Sequence, residues 1–334
     1  MSKYQKQLEL FVENIPVARK VFKWQESSKV FLSSLILTSK GIHADEAVLK
    51  ETRKMYDKNT SIFSNLKYNS ATTITTLLSE TENPAEVLKN INEVQTLLKE
   101  QKFYKDDYTA LVATQIVLNT PENEYEKIAV LTGEFYQAMK EKHRWMTDSS
   151  DYMYACQFAM LGLNVKDTIS KMDELMEELM PHFKWTPNSS QTLAQMLVLG
   201  DVASENSTSA SQKIEQILKL QEMFKSKNLK VGSEFVAILG LIVMLPISLE
   251  EIVDQIVDCC EELKAEKEFG KYNAKQITFM FASSIVIMAL ANDMQKETSN
   301  SVMANIITNL IMQQQMMMAI LLATVTISSI PTNN

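Results

Sequence analysis

Apolar positions along the chain alternate between two layouts. In one, nearly every position is apolar, as in Phe235-Val236-Ala237-Ile238-Leu239-Gly240-Leu241-Ile242-Val243-Met244. In the other, apolar residues recur every three or four positions, as in Ile214, Ile217, Leu218, Leu220 and Met223 among Lys, Gln and Glu. The first predicts a helix buried on all sides, the second a helix with one solvated face. One of each in turn makes a helical hairpin, and stacked hairpins make an all-α solenoid or an α/α-toroid-like fold.

The junctions repeat too. All three tryptophans share one context: Lys23-Trp24 before Ser27-Ser28, Arg144-Trp145 before Ser149-Ser150, and Lys184-Trp185 before Ser189-Ser190. Tyr68-Asn69-Ser70, Tyr104-Lys105-Asp106-Asp107, Val231-Gly232-Ser233 and Tyr272-Asn273 are weaker copies. Starts near Ser28, Asn69, Asp106, Ser149, Ser189, Ser233 and Asn273 are spaced by 41, 37, 43, 40, 44 and 40 residues, the range of two-helix repeats. Ser, Asn or Asp is expected to cap the following helix, with the upstream aromatic folded back as a hydrophobic staple. An aromatic binding cage is the competing use of those rings. Second helices are expected from Asn83-Pro84, Thr120-Pro121, Asn164 and Ser248-Leu249-Glu250-Glu251, where Pro after the cap or capping-box spacing marks the start.

Residues 1–26 are then a leading capping helix, and 27–297 about six to seven hairpin repeats of roughly 40 residues. Residues 298–334 form an uncharged, apolar C-terminal helix or tail, the whole being one continuous structural unit. Ala110, Ala113, Ala155, Ala159, Ala194, Ala237 and Ala282 fall in the buried helices, where they allow close approach. Asn206-Ser207-Thr208-Ser209-Ala210-Ser211 reads as an exposed, mobile loop.

Composition narrows the function. Seven Gly and seven Pro in 334 residues, with 20 Met, favour helices and leave neither GxG nor GxxxxGK for a nucleotide. A net charge of −8 with dispersed Lys and Arg argues against nucleic acid. Three cysteines give no disulfide framework, and no secretory layout opens the chain, so a cytoplasmic protein is expected.

Candidate chemistry is sparse. His43 lies in a turn, and His143 and His182 sit just ahead of tryptophans, where a helix C-terminus favours a cation. No HExxH, Glu-x-x-His or CxxC occurs, Cys259 and Cys260 are adjacent, and Cys156 reads as a small core residue. Carboxylates run along Asp173, Glu174, Glu177 and Glu178, then Glu250, Glu251, Asp254, Asp258, Glu261 and Glu262. They fit a solvated helix face, with a divalent ion or basic partner as the alternative. No catalytic residue, cofactor site or metal site is assigned.

The 37 residues after Glu297 carry no charge. Three readings compete: a buried helix closing the last repeat, a Met-rich surface for a partner or a second copy, or a membrane segment. The apolar stretch from Met316 to Ile330 falls short of the roughly 20 residues a span needs. Asn305, Asn309 and Gln313 step by four as a polar stripe.

The Trp-x-x-x-Ser-Ser junction at Trp145 and Trp185, the apolar helix behind it and the uncharged tail together resemble an uncharacterised bacterial family of all-helical cytoplasmic proteins, a domain of unknown function. Trp24 departs by one residue. The resemblance implies no activity. The expectation is a non-catalytic repeat protein binding a protein or peptide, with self-association through 298–334 as an option. The alternative is a small-molecule or lipid-binding helical protein, or an enzyme, with an apolar cavity.

Overall fold

The structure is a computed structural model describing residues 2–60, 66, 69–183, 186–203, 209–270, 275–297 and 301–328. Among the described residues it holds fifteen α-helices and no strand. They are α1 (Gln5–Val21), α2 (Ser27–Ser39), α3 (Glu46–Asn59), α4 (Ala71–Leu78), α5 (Pro84–Glu100), α6 (Asp107–Asn119), α7 (Tyr125–Lys142) and α8 (Asp151–Met160). Then come α9 (Val165–Leu179), α10 (Pro187–Ala203), α11 (Ala210–Ser226), α12 (Val236–Ile242), α13 (Leu249–Ala265), α14 (Lys275–Glu297) and α15 (Ser301–Ser328).

The two layouts of the sequence become two kinds of helix. In α8 every residue from Asp151 to Ala159 is buried. In α9 only Thr168, Ile169, Met172, Leu175, Met176 and Leu179 are, the three-and-four spacing of a single apolar stripe. The seven alanines expected in the buried helices are all buried. Some hydroxyls in those helices donate to the carbonyl four residues back, as Ser34 does to Val30, Thr76 to Thr72, Thr114 to Ala110 and Ser284 to Met280, while those of Ser28, Thr75, Ser190 and Ser283 have no partner among the described residues. A buried polar group without such a bond would be costly.

The chain forms two compact units: unit 1 of Met1–Val12 and Asp167–Met312, and unit 2 of Glu13–Lys166 and Gln313–Asn334. In unit 1, α12 packs on α10 and α14, and α11 on α13. The first residues of the chain join this core. Phe11 lies 6.0 Å from the Phe269 ring and 5.7 Å from Phe281, and the Tyr4 hydroxyl donates to Glu262 Oε1 at 2.7 Å. In unit 2, α2 packs on α4, α6 on α8, and α5 on α3 and α7. Asn14 joins α1 to the turn after α2: its Nδ2 donates to the Ile42 carbonyl (2.9 Å) and its Oδ1 accepts from the Ala44 amide (2.7 Å).

Several second helices start where the caps predict. Asn83 accepts from the Glu86 amide and Ser248 from that of Glu251, and α9 follows Asn164 directly. At Thr120-Pro121 a 3₁₀ turn, Glu122–Glu124, stands before α7. Of the first helices, α6 is capped by Asp106, which accepts from the Thr109 amide. The serine pairs are different. Ser28, Ser189 and Ser190 are buried within α2 and α10, and Ser70 and Ser150 make no side-chain cap. Small hydroxyls serve here as slender packing residues, and carboxylates take over the donors: Asp107 accepts from the Ser70 amide and Asp148 from that of Ser150.

The tryptophan staple is corrected. Trp24 is 86% exposed and Trp145 95%, so neither ring rests on the helix behind it. The residue that does so is Phe22, which packs with Ala18 and Val30. Phe103, Phe183 and Phe269 are likewise the buried rings of their junctions. Tyr68, Trp185, Tyr272 and Asn273 lie outside the described residues. So do 206–208 of the expected loop, whereas Ser209 closes a capping box with Gln212 at the start of α11.

The tail is helical. Within α15, Ile307, Leu310, Ile311, Met316, Met317, Met318, Ala319 and Leu322 are buried, as are Gln313 and Gln315. In unit 2, Gln314 Nε2 donates to the Tyr154 hydroxyl at 3.3 Å. Among the described residues one helix, Lys275–Asp293, is long and apolar enough to cross a membrane, and 78% of that stretch is buried inside the protein.

Candidate functional site

The reactive residue types are dispersed. His43 Nδ1 stands 3.3 Å from Glu13 Oε2 on an exposed turn. His143 ends α7, its amide donating to the Met139 carbonyl, and His182 follows α9. Cys156, Cys259 and Cys260 are buried free thiols. Burial pushes Cys156 up to about 12 against a weaker pull from a Thr132 hydrogen bond. It pushes Cys260 up to about 12, and Cys259 well above the ordinary range. A thiol held protonated is a poor nucleophile and a poor metal ligand.

Three carboxylates of the α13 run, Glu250, Glu251 and Asp254, are met by neighbouring cations. Lys219 Nζ on α11 donates to Glu250 Oε1 at 2.7 Å, and Lys227 to Asp254 Oδ1 at 3.0 Å. The Lys219 hydrogen bond holds the Glu250 carboxyl below its usual range. Lys3 Nζ reaches Glu251 Oε1 at 3.4 Å. Glu178, in the other run, accepts from Ser211. Among the described residues no group of three or more His, Cys, Asp or Glu side chains is placed to hold a metal ion.

Two clefts of unit 1 flank the N-terminus of α13. One, of about 380 Å³, is lined by Gln212, Glu215, Gln216 and Lys219 of α11 with Leu249 of α13. The other, of about 260 Å³, is lined by Lys3, Leu245-Pro246-Ile247-Ser248, Glu251, Leu290 and Asp293. The four α11 residues stand at i, i+3, i+4 and i+7, so they share one face. That face is amides, a carboxylate and an ammonium around one leucine: groups that hydrogen-bond and ion-pair. The polar stripe opposite the apolar one on α11 was the available signal for this groove.

A model of a protein family of unknown function, DUF4003, matches residues 16–316. The chain belongs to that family. No curated protein and no solved structure matches it. The expected kinship with an all-helical domain of unknown function therefore holds over most of this DUF4003 chain, and the site has to be read from its own chemistry.

Proposed function

We propose that this DUF4003 protein is a non-catalytic, cytoplasmic helical-repeat protein that binds a protein or peptide partner. In this reading α2/α3, α4/α5, α6/α7, α8/α9, α10/α11, α12/α13 and α14/α15 are successive copies of one two-helix unit. The observation that carries it is the open groove between α11 and α13. Its side-chain amides suit the unpaired N–H and C=O groups of an extended chain, and its single leucine suits one apolar anchor. Repeat folds use such faces for peptides, an argument from architecture.

A photo-cross-linking residue at Gln216 tests this, with Lys89 on the exposed face of α5 as the control position. The expected result is one cross-linked partner from position 216, lost in the Lys219→Glu variant. Equal cross-linking from 89 and 216 overturns it.

A second reading, an enclosed small molecule, draws on Gln115 in α6. It is fully buried, and among the described residues neither amide atom has a hydrogen-bond partner. Native mass spectrometry of the purified chain separates the two: a co-purifying small mass lost in Gln115→Leu favours the second.

A further inference from the structure

The α11–α13 groove of unit 1 carries negative charge that its own lysines do not answer. Every lysine of α11 already meets a carboxylate: Lys213 that of Asp201, Lys219 that of Glu250 and Lys225 that of Glu222. Lys171 of α9 shares Asp201, and Lys227, just past α11, meets Asp254. Two carboxylates differ. Glu215 lines the groove, and Glu178 on α9 reaches its rim, where it accepts from the Ser211 hydroxyl at 3.1 Å. Both are exposed, and among the described residues neither holds an ion pair. A hydroxyl donor leaves the charge of Glu178 in place.

Their spacing carries information. Ser211 and Glu215 stand at i and i+4 on α11, so the two carboxylates are anchored one turn apart, about 6 Å along the helix axis. In an extended chain, side chains two positions apart point the same way at a separation of about 6.6 Å, whereas adjacent ones point to opposite sides. Between the two carboxylates, the amides of Gln212 and Gln216 offer donors and acceptors to a backbone. The Lys219 ammonium has protons beyond the one given to Glu250 for a carbonyl.

We propose, on the reading that this groove takes a peptide, that its occupant is an extended segment of a protein partner with lysine or arginine at alternate positions. One cation meets Glu215 and the next meets Glu178, while Lys219 donates to the backbone between them. A segment with adjacent cations engages only one of the two carboxylates, and an acidic segment is repelled by both.

The test is fluorescence anisotropy of the full chain with short labelled peptides of one composition. One places its two arginines at alternate positions, its isomer places them side by side, and a third carries glutamates instead. The alternate isomer is expected to bind about threefold tighter than the adjacent one, the worth of one exposed ion pair, and to weaken as salt is added. Glu215→Gln and Glu178→Gln, the latter keeping an acceptor for Ser211, should each lower its affinity about threefold and erase the difference between the isomers. Glu51→Gln, on the exposed face of α3, should change nothing, and all three variants should keep the parent's circular dichroism. Equal binding of the two isomers, an equal loss in Glu51→Gln, tighter binding of the glutamate peptide, or no binding at all overturns the proposal. If the partner cross-linked from position 216 still depends on Lys219 in any of those cases, the groove holds a peptide and only its basic character falls. Loss of that dependence removes both.

Discussion

Phe11 is surrounded by aromatic rings in unit 1, and Phe269 and Phe281 in turn stand 5.5 Å apart. Truncating it leaves a ring-sized hole among neighbours that cannot all collapse inward, so Phe11→Ala is expected to cost about 3–5 kcal/mol, read as a lower urea midpoint with little change in slope. At this scale the sequence is only half legible. The junction pattern points to the aromatic beside the cap, Trp24 or Tyr104, yet the buried rings are Phe22 and Phe103, two positions and one position earlier. Capping and stapling rules specify a register near the helix start; they do not say which of two nearby aromatics turns inward. That choice depends on what the next helix offers, Val30 in the case of Phe22.

Helix type and helix start are far more legible. Apolar spacing separates α8 from α9, and Asn83, Asp106 and Ser248 stand at the starts of α5, α6 and α13. What the spacing leaves open is how closely neighbouring helices approach. Gly240, in α12, marks such a place: a β-carbon there would come 2.8 Å from Met196 Cβ on α10. The contact atom lies next to the Met196 backbone and has little freedom to retreat. Gly240→Ala, which by helix propensity alone would stabilise, is therefore expected to destabilise by roughly 1–2 kcal/mol. A rise in melting temperature would refute the close packing of α10 on α12. The α11 groove belongs to this scale as well. Its polar stripe was visible as the solvated side of an amphipathic helix, but nothing in one helix reveals which partner helix completes a cleft.

Across the whole molecule, burial holds several acidic groups in their neutral form. Besides the thiols of Cys156 and Cys260, desolvation raises the hydroxyls of Tyr4, Tyr56, Tyr108, Tyr136 and Tyr154. A group whose pKa is higher folded than unfolded adds stability below its unfolded value and loses it as pH rises to the folded one. For the thiols that window runs from 9.0 to about 12. Stability should thus be level near neutrality and fall steeply above pH 9, with Cys156 alone worth roughly 4 kcal/mol. Chemical denaturation at a series of pH values checks this, and Cys156→Ala should flatten part of the alkaline fall. Labelling of the three thiols at pH 8 should proceed only as fast as the protein opens.

The division of the chain bears on the order of events during synthesis. Unit 1 takes its first segment from Met1–Val12 and the rest from Asp167–Met312, while unit 2 is completed only by Gln313–Asn334. Ribosomes deliver residues N-terminal end first, at roughly 5–20 per second. Residues 1–12 therefore wait on the order of ten seconds before Asp167 is made, with Tyr4 and Phe11 lacking their final partners Glu262, Phe269 and Phe281. Unit 2 waits longer still, since its segment Gln313–Asn334 is made after all of unit 1. The nascent chain thus presents unfinished apolar surface until residues 313–334 have emerged, which makes it a demanding client for the chaperones that meet chains at the exit tunnel.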